Sequence, residues 1–573
     1  MKQRNWKKRS AMLTAGMIAM GMFSQTVAFA DSEGGTFDIA AFEQEHSENP
    51  VTISMYPMNA NVTSGTVSGY LGDFFASQGL AIDIWAYSDE KTNAILASGD
   101  LPDIMHVSAE NLETMIDAGM VLELDDYLDD LPHVQAAIAD NGLEPALNFV
   151  REYRSNDTGK LYAMPTGVGG GDYYDTADRN AVKLNWKIYE QIGAPEISNY
   201  DDLIEVAKQM MEACPTDEET GSKIWGTVLN SGSDTEYWGN IITWMRWHGY
   251  SETQLPYLIE QDMINGSCQS ILDENSLYYQ GLKFYFDCMQ AGVLDPDSIN
   301  TERSAAGKKT KMFGAGTAPG WHSTYYEYWI PGTQYYLNGN AVFGNANDYL
   351  VINADTKNLD ACLKFIDMMA DPDAQLLGNA GPEGDMYQIN DNVLTLTQKA
   401  KDYYSTSSGS GYFYDNGEEA YLWNTAWILS SGAKTTYVDE NGNSLMAVHT
   451  GWLEEKEITS DNETYRAWKK TTGYDSWQDL IEKNDVLVST SKYDYITNFL
   501  SLPDESMKLT MSTIKDKVVD ASWKMVYAEN EDEFNSIWEK LVEDCKDLGA
   551  DDLMQWRLED IDQAIEKRDE VMK

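Results

Sequence analysis

Two stretches concentrate aromatic residues, "YWGNIITWMRWHGY" over 237–250 and "WHSTYYEYWIPGTQYY" over 321–336. Side chains of this kind suit sugar chemistry. The axial C–H face of a pyranose packs on an aromatic ring, while neighbouring carboxylates and amides take the hydroxyls. Trp238, Trp321, Tyr325 and Trp329 are the candidate platforms. The competing reading is core, and the helical spacing of Ile241, Trp244, Met245 and His248 assigns those four to a buried face. The tyrosines between 325 and 336, interrupted by Pro331 and Gly332, read as a loop that lines a cleft.

Catalytic signatures are missing where they would be looked for. The six histidines, at 46, 106, 133, 248, 322 and 449, never form H-E-x-x-H, and no G-x-S-x-G occurs. Paired carboxylates for glycoside hydrolysis stay open, because 93 acidic residues supply pairings by chance. His106 lies in an apolar run and reads as a satisfied core histidine. Cys214, Cys268, Cys288, Cys362 and Cys545 are odd in number and never C-x-x-C, which indicates neither a zinc site nor a disulfide framework. Cys362 and Cys545 fall on apolar helix faces and read as buried thiols. The glycine run in "TGVGGGDYYD" (166–175) lacks the Lys-Ser/Thr of a phosphate loop and reads as a hinge or ligand-facing loop.

The elements that must position these residues begin at Val51 with a repeated strand–helix unit. "VTISMYP" is followed by a helix carrying Val67, Tyr70, Leu71, Phe74 and Phe75, closed by Gly79. "LAIDIWAY" precedes a helix capped by Ser88 with Asp89 and Glu90 in its first turn, and Gly99 stops it. Asp103–Val107 is the third strand, Ser108 the next N-cap, and Gly119 the next stop. Short connections of this kind imply right-handed crossovers and a parallel sheet covered on both sides. Ligands of such sheets sit outside the carboxyl ends of the strands. Those ends are Met58–Asn61, Trp85–Glu90 and Ser108–Glu110, which nominate Asn59, Trp85, Tyr87, Asp89, Ser108 and Glu110. No G-x-G-x-x-G accompanies them, so a dinucleotide is not the expected guest.

A second α/β body follows. "AVKLNWKIYEQIG" places Leu184, Ile188 and Ile192 at helical spacing, and the next helix, capped by Ser198 or Asn199, buries Leu203, Val206, Ala207 and Met210. "NDYLVIN" (347–353) is another strand, with Leu359, Leu363 and Ile366 on a helix behind it. The last helices, through Phe534–Leu548 and Met554–Ile565, read as packing elements.

With 41 basic against 93 acidic residues the formal charge is −52, a field that repels nucleic acid and anionic membranes. The N-terminus joins five basic residues to the apolar run "AMLTAGMIAMGMF" and a small-x-small site after Ala30, the pattern of a signal peptide over 1–30. Its removal leaves 36 basic against 93 acidic residues, a charge of −57. No other stretch approaches the roughly 18 apolar residues of a membrane span, so the mature chain is expected to be exported and soluble.

Taken in order, "ASGDLPDIMHVS", "MIDAGMVLELDDYL", "GKLYAMP", "LNWKIYEQIGAPEISNYDDLIEVAKQM", "NLDACLKFIDMMADPDAQLLGNAGPEGDMY" and "FNSIWEKLVEDCKDLGADDLMQWRLEDIDQAIEK" resemble the family 1 extracellular solute-binding proteins of carbohydrate ABC transporters. This family shares the maltose-binding-protein architecture. The resemblance implies an α/β, two-lobed, periplasmic-binding-protein-like type II fold, each lobe a sheet flanked by helices, with extra C-terminal helices. It implies a first lobe of 48–168 and 345–390 and a second of 169–344 and 391–573, with crossings at 159–175 and near 335–350. Tyr173 and Tyr174, beside the first crossing, would then face the cleft.

Expected partners are a carbohydrate and the membrane permease subunits, with no nucleic acid, no cofactor and a monomeric chain. Two departures stand out. No lipobox cysteine precedes Cys214, and "CPTDEETGSKIWG" keeps Asp217, Glu218 and Glu219 without the D-x-D-x-D-G of a calcium loop, so no obligatory calcium is expected. The alternatives are a secreted carbohydrate-active enzyme, a receptor for a non-sugar solute such as a peptide, or a surface-interaction protein without a pocket.

Overall fold

The computed structural model describes residues 37–572 except 59–62, 170–181, 219, 232–238, 256–257, 315–324, 338–341, 346, 400–425, 431–432, 439–462, 476 and 490–494. The signal-peptide reading of 1–30 therefore lies outside the described residues.

Three parallel strands form the heart of the first sheet. Val51–Tyr56 pairs with Leu80–Ile84 from Val51↔Leu80 to Met55↔Ile84, and with Ile104–Val107 through Met55↔Ile104. The expected parallel trio is present, but the sheet is mixed. Tyr349–Ile352 runs antiparallel against Ile104–Val107 and against Met164–Pro165, and Gly65–Thr66 adds an antiparallel strand on the other edge. All four residues of Ile104–Val107 and of Tyr349–Ile352 are buried, as strands covered on both faces must be.

The connecting helices start and stop on named side chains. Ser88 Oγ accepts from Lys91 N (3.1 Å) at the head of Asp89–Ser98, and Gly99 closes that helix in the left-handed region. Ser108 Oγ accepts from Asn111 N (3.2 Å) at the head of Ala109–Asp117, which buries Leu112 and Met115. Asp103 lies just outside its strand. Its carboxylate accepts from Ser54 N and Ser54 Oγ (both 2.8 Å) and from Thr356 Oγ1 (2.5 Å), tying three segments together. Burial alone would raise its pKa, and these bonds outweigh burial and lower it.

The second body is built around Val182, Leu184, Trp186, Leu203, Met210, Trp244, Leu282, Cys288 and Phe313. Leu184 belongs to a strand, Lys183–Asn185, and the helix begins only at Trp186, so the helical reading of Leu184 is corrected. The strand pairs antiparallel with Phe313–Gly314 on one side and Tyr325–Glu327 on the other. Asn199 caps Tyr200–Ala213, with Leu203, Val206, Ala207 and Met210 buried as expected. The helix Gly239–Trp247 buries Ile241, Trp244 and Met245; Trp244 stacks on Phe284 at 4.8 Å, and Trp247 on Tyr200 at 5.8 Å. These aromatic residues are core.

Three distant segments meet near Thr166. Asn345 N donates to Thr166 O (2.8 Å), Gly167 N to Trp427 O (2.9 Å) and Val168 N to Ile428 O (2.7 Å). Glycine is required at two of these approaches. A Cβ on Gly169 would stand 1.8 Å from Ser430 Oγ, and one on Gly344, whose φ is +77°, would stand 2.6 Å from Thr166 O. The C-terminal segments touch both bodies. Phe499 packs edge-on to Phe149 (4.9 Å) beside the first sheet, while Ser522 Oγ of the helix Glu505–Val526 bonds Tyr278 OH (2.8 Å) on the second.

Candidate functional site

The carboxyl ends of the parallel strands form a polar and aromatic rim. Tyr56, fully buried, donates its hydroxyl to Ser88 O (2.9 Å), accepts from Ser88 N (3.2 Å) and lies 2.9 Å from Thr92 Oγ1. That one hydroxyl fixes the 85–88 loop to the first strand. Trp85 N adds a bond to Met55 O (2.8 Å), and Ala86 N one to Ser64 Oγ (2.9 Å). Trp85 and Tyr87 are half-buried on this loop, and Asp89 is exposed at its end.

Tyr87 OH donates to Asp89 Oδ1 at 2.6 Å, and this bond, with burial adding, pushes the phenol up to about 12. Lys91 Nζ sits 5.3 Å from the Trp85 ring centroid and 5.6 Å from that of Tyr56. The loop therefore presents a tryptophan, a phenol, a carboxylate and an ammonium that already hold each other in place. Such a set can stack on a ring and accept from hydroxyls without first reorganising.

Beside it, Ser108 is spent on its helix cap, Ala109 N donates to Asn347 Oδ1 (2.8 Å), and Glu110 is exposed in the first turn. His106, 1% exposed, has Nδ1 3.0 Å from Asp348 Oδ1 without the alignment of a hydrogen bond. It is core, as read, but not satisfied. Asp348 O in turn accepts from Thr166 Oγ1 (3.0 Å), which places His106 behind the junction of segments at Thr166.

The strand Lys183–Asn185 and its neighbours divide their faces sharply. Leu184, Phe313 and Tyr326 point into the second core. Lys183, Asn185, Tyr325 and Glu327 occupy the other face, all of them buried. Tyr325 is thus a strand residue with its hydroxyl donating to Lys311 O and accepting from Lys311 N (both 3.0 Å), which corrects its reading as part of a loop. Trp329 is half-buried against the second core, and its Nε1 has no hydrogen-bond partner. Lys183 Nζ lies 3.8 Å from Glu327 Oε1. Lys311 is 4% exposed, and burial, with the Lys309 charge adding, pushes its ammonium down to about 8.

Of the residues nominated from sequence, the structure brings Trp85, Tyr87 and Asp89 together on one loop, sets Ser108 and Glu110 on the neighbouring strand end, and puts Tyr325 and Trp329 with the second body. Asn59, Tyr173, Tyr174, Trp238 and Trp321 lie outside the described residues. Sequence reasoning missed Tyr56, Lys91, Asn347 and Lys311. Lys91 was legible in principle, three residues past the Ser88 cap; Lys183 and Asn185 alternate with Val182 and Leu184, a two-residue period that a four-residue spacing overrode.

Among the described residues no three His, Cys, Asp or Glu side chains gather in a metal-holding group. In the loop after Tyr200–Ala213, Asp217 Oδ1 accepts from Thr220 N (2.9 Å) and Thr220 Oγ1 (3.0 Å), and Oδ2 from Thr310 Oγ1 (2.7 Å). Hydrogen bonds within the protein occupy both of its oxygens.

The family model described as bacterial extracellular solute-binding protein matches residues 82–376, a span that contains the Trp85–Asp89 loop and the strands around Lys183. A curated relative, the fructooligosaccharide ABC transporter substrate-binding protein FusA of Streptococcus pneumoniae serotype 4, is 22% identical over 331 residues. The match covers 54% of this chain and 58% of that one, so the chain spans little more than half the length of that relative. The solved structure of a S. pneumoniae FusA EF-hand mutant in complex with fructo-nystose superposes with a TM-score of 0.59 at 16% identity, covering 90% of this chain and 99% of that one. A solute-binding protein described as binding HMO, from Bifidobacterium longum infantis, superposes at 0.55 and 15% identity, covering 92% and 99%. At these identities the superpositions show the fold, a two-lobed solute-binding-protein architecture.

Proposed function

We propose that this chain, which belongs to the bacterial extracellular solute-binding protein family, captures an oligosaccharide between two lobes and delivers it to the permease subunits of an ABC transporter. The observation that carries the reading is the Trp85–Tyr87–Asp89 loop, locked to the sheet by the Tyr56 hydroxyl at the end where such sheets bind ligands. A stacking ring beside a carboxylate, both held before any ligand arrives, is the pairing that pyranose and furanose rings require. FusA, named for fructooligosaccharides, supports a short glycan as the ligand.

In this reading the chain is a receptor and not an enzyme. It is exported after loss of 1–30 and works as a monomer. The first lobe comprises 48–168 and 345–390, the second 169–344 and 391–573. The bonds of Ile428 N to Met369 O (2.9 Å) and Thr436 N to Asp373 Oδ1 (2.7 Å) support moving 426–438 to the first lobe. Asn59, Trp85, Tyr87, Asp89, Ser108 and Glu110 line the first lobe's side. Tyr173, Tyr174, Trp238 and Trp321 come from the second lobe and the crossing, with Tyr325 and Trp329 as supports behind them. Closure is hinge motion, stabilised by contacts that the ligand makes to both lobes.

The test is a thermal-shift panel on the mature protein with kestose, nystose, maltotriose and cellotriose beside a tripeptide. A sugar at about 100 times its dissociation constant adds about 2.7 kcal/mol to stability. A shift with the peptide and none with any sugar would remove the carbohydrate from the reading.

A further inference from the structure

The first turn of the helix Asp89–Ser98 holds a residue that its position does not favour. Asp89 and Glu90 open the helix as the macrodipole prefers, and Lys91 then sets a cation at the same positive end. Lys91 is also the residue whose amide donates to Ser88 Oγ (3.1 Å), the place where a glutamate or glutamine would complete a capping box. Neither local rule selects lysine here.

Its side chain supplies the reason. Lys91 is half-buried, and its ammonium lies over two rings, 5.3 Å from the centroid of Trp85 and 5.6 Å from that of Tyr56. At that distance the ring quadrupole attracts a cation. The two rings differ in freedom. Tyr56 is fully buried, its hydroxyl is bonded to Ser88 O (2.9 Å), and its ring packs on Tyr87 at 5.7 Å. Trp85 is half-buried on the loop, where the bond from its amide to Met55 O (2.8 Å) fixes the backbone and leaves the side-chain torsions to be set by other contacts. The backbone that carries Lys91 is itself held, by the Ser88 cap before it and by Thr92 after it, whose Oγ1 is bonded to Ser88 O (3.1 Å) and lies 2.9 Å from Tyr56 OH. Lys91 thus joins a fixed ring to a ring that needs fixing.

We propose that Lys91 is a positioning residue of the sugar platform: its ammonium bridges Tyr56 and Trp85, fixes the indole, and commits a sugar ring to the indole face turned away from Lys91. The proposal rests on the receptor reading above and adds to it how the platform is set before a ligand arrives. Holding the indole in one rotamer raises the fraction of free protein that is competent to bind, and the apparent dissociation constant falls by the same factor.

Calorimetric titration of the mature protein with kestose, nystose, maltotriose and cellotriose tests it on wild type, Lys91→Met, Lys91→Arg, Trp85→Ala and the double variant Lys91→Met with Trp85→Ala, beside fluorine NMR of the sugar-free proteins carrying 5-fluorotryptophan. Met keeps the stem and removes the charge, Arg returns a cation to the rings, and melting curves confirm that the variants fold. Lys91→Met is expected to weaken sugar binding about three- to fivefold, Lys91→Arg to recover it to within about twofold, and Lys91→Met to have no further effect once Trp85 is alanine. In the sugar-free spectra the resonance that disappears in Trp85→Ala is expected to move or broaden in Lys91→Met and to return toward its wild-type position in Lys91→Arg; where the alanine background binds too weakly to titrate, these spectra decide. Unchanged affinity in Lys91→Met, an arginine as weak as the methionine, or an unmoved Trp85 resonance overturns the role. A methionine effect of equal size in the Trp85→Ala background also overturns it, because Lys91 would then act on the ligand directly. Those results leave the receptor reading standing, whereas binding of none of the four sugars to wild type removes both.

Discussion

The rim of the large sheet and the polar face of the small sheet hold similar residue types and treat them in opposite ways. At the rim the 85–89 loop is held by protein partners, Tyr56 with Ser88 and Tyr87 with Asp89, and behind it Asp103 holds Ser54 and Thr356. Beside the small sheet Lys311 is buried, and that burial pushes its ammonium down to about 8. The rim is preorganised, so its polar groups add to stability. The small sheet carries the desolvation cost of charged groups placed on a buried face.

Substitutions can break this contrast, beginning with the largest effect. Asp103→Ala removes the acceptor of Ser54 N, Ser54 Oγ and Thr356 Oγ1 together, and is expected to cost about 3 kcal/mol in chemical denaturation. Lys311→Met is expected to move stability the other way, by about 2 kcal/mol in favour of the folded state, because it replaces a desolvated ammonium with hydrocarbon. A destabilised Lys311→Met would mean that the ammonium has a partner after all. Tyr56→Phe, which deletes one hydroxyl and no volume, is expected to cost about 1 kcal/mol and to weaken ligand affinity by loosening the Trp85 loop, read by denaturant melts and titration.

Protonation sharpens the same contrast. Lys311 titrates near 8 in the folded chain and at about 10.4 when unfolded, so between those values the unfolded state holds the proton that the folded state has released. Stability due to this group therefore rises from pH 8 toward pH 10, and the rise is absent in Lys311→Met. His133 behaves oppositely. Its bond to the buried Asp367 (2.6 Å) raises its pKa, with burial opposing. The contribution is fully present below the ordinary value of about 6.5 and is lost as pH climbs through the raised one. The stability difference between wild type and His133→Gln should shrink over that interval.

How much of this was legible in the sequence depends on the range of the interaction. Ser88, Ser108, Asn199, Gly99 and Gly119 announce helix ends through bonds to their own neighbours, and those assignments match the structure. The antiparallel strand Tyr349–Ile352 lies about 240 residues from its partner His106, and nothing local signals the pairing. Leu184 was drawn into a helix because a three-residue strand is too short to establish a period against a four-residue spacing. Tyr325 looked like a loop residue because Pro331 and Gly332 follow it, whereas its burial depends on a backbone contact with Lys311. The rim residues on the 85–89 loop were visible because strand ends are local features. Lys311 was not, because nothing in "KKTKMFG" distinguishes a lysine that will be buried from the two others.

The most direct measurement of the central claim is a calorimetric titration of the mature protein with an oligosaccharide that produces a thermal shift, repeated on Trp85→Ala. Wild type is expected to show saturable one-to-one binding and a folded variant at least about tenfold weaker binding, since a stacking aromatic anchor contributes more than about 1 kcal/mol. Unchanged affinity in the variant, or saturable binding of a peptide with none of any glycan, would contradict it.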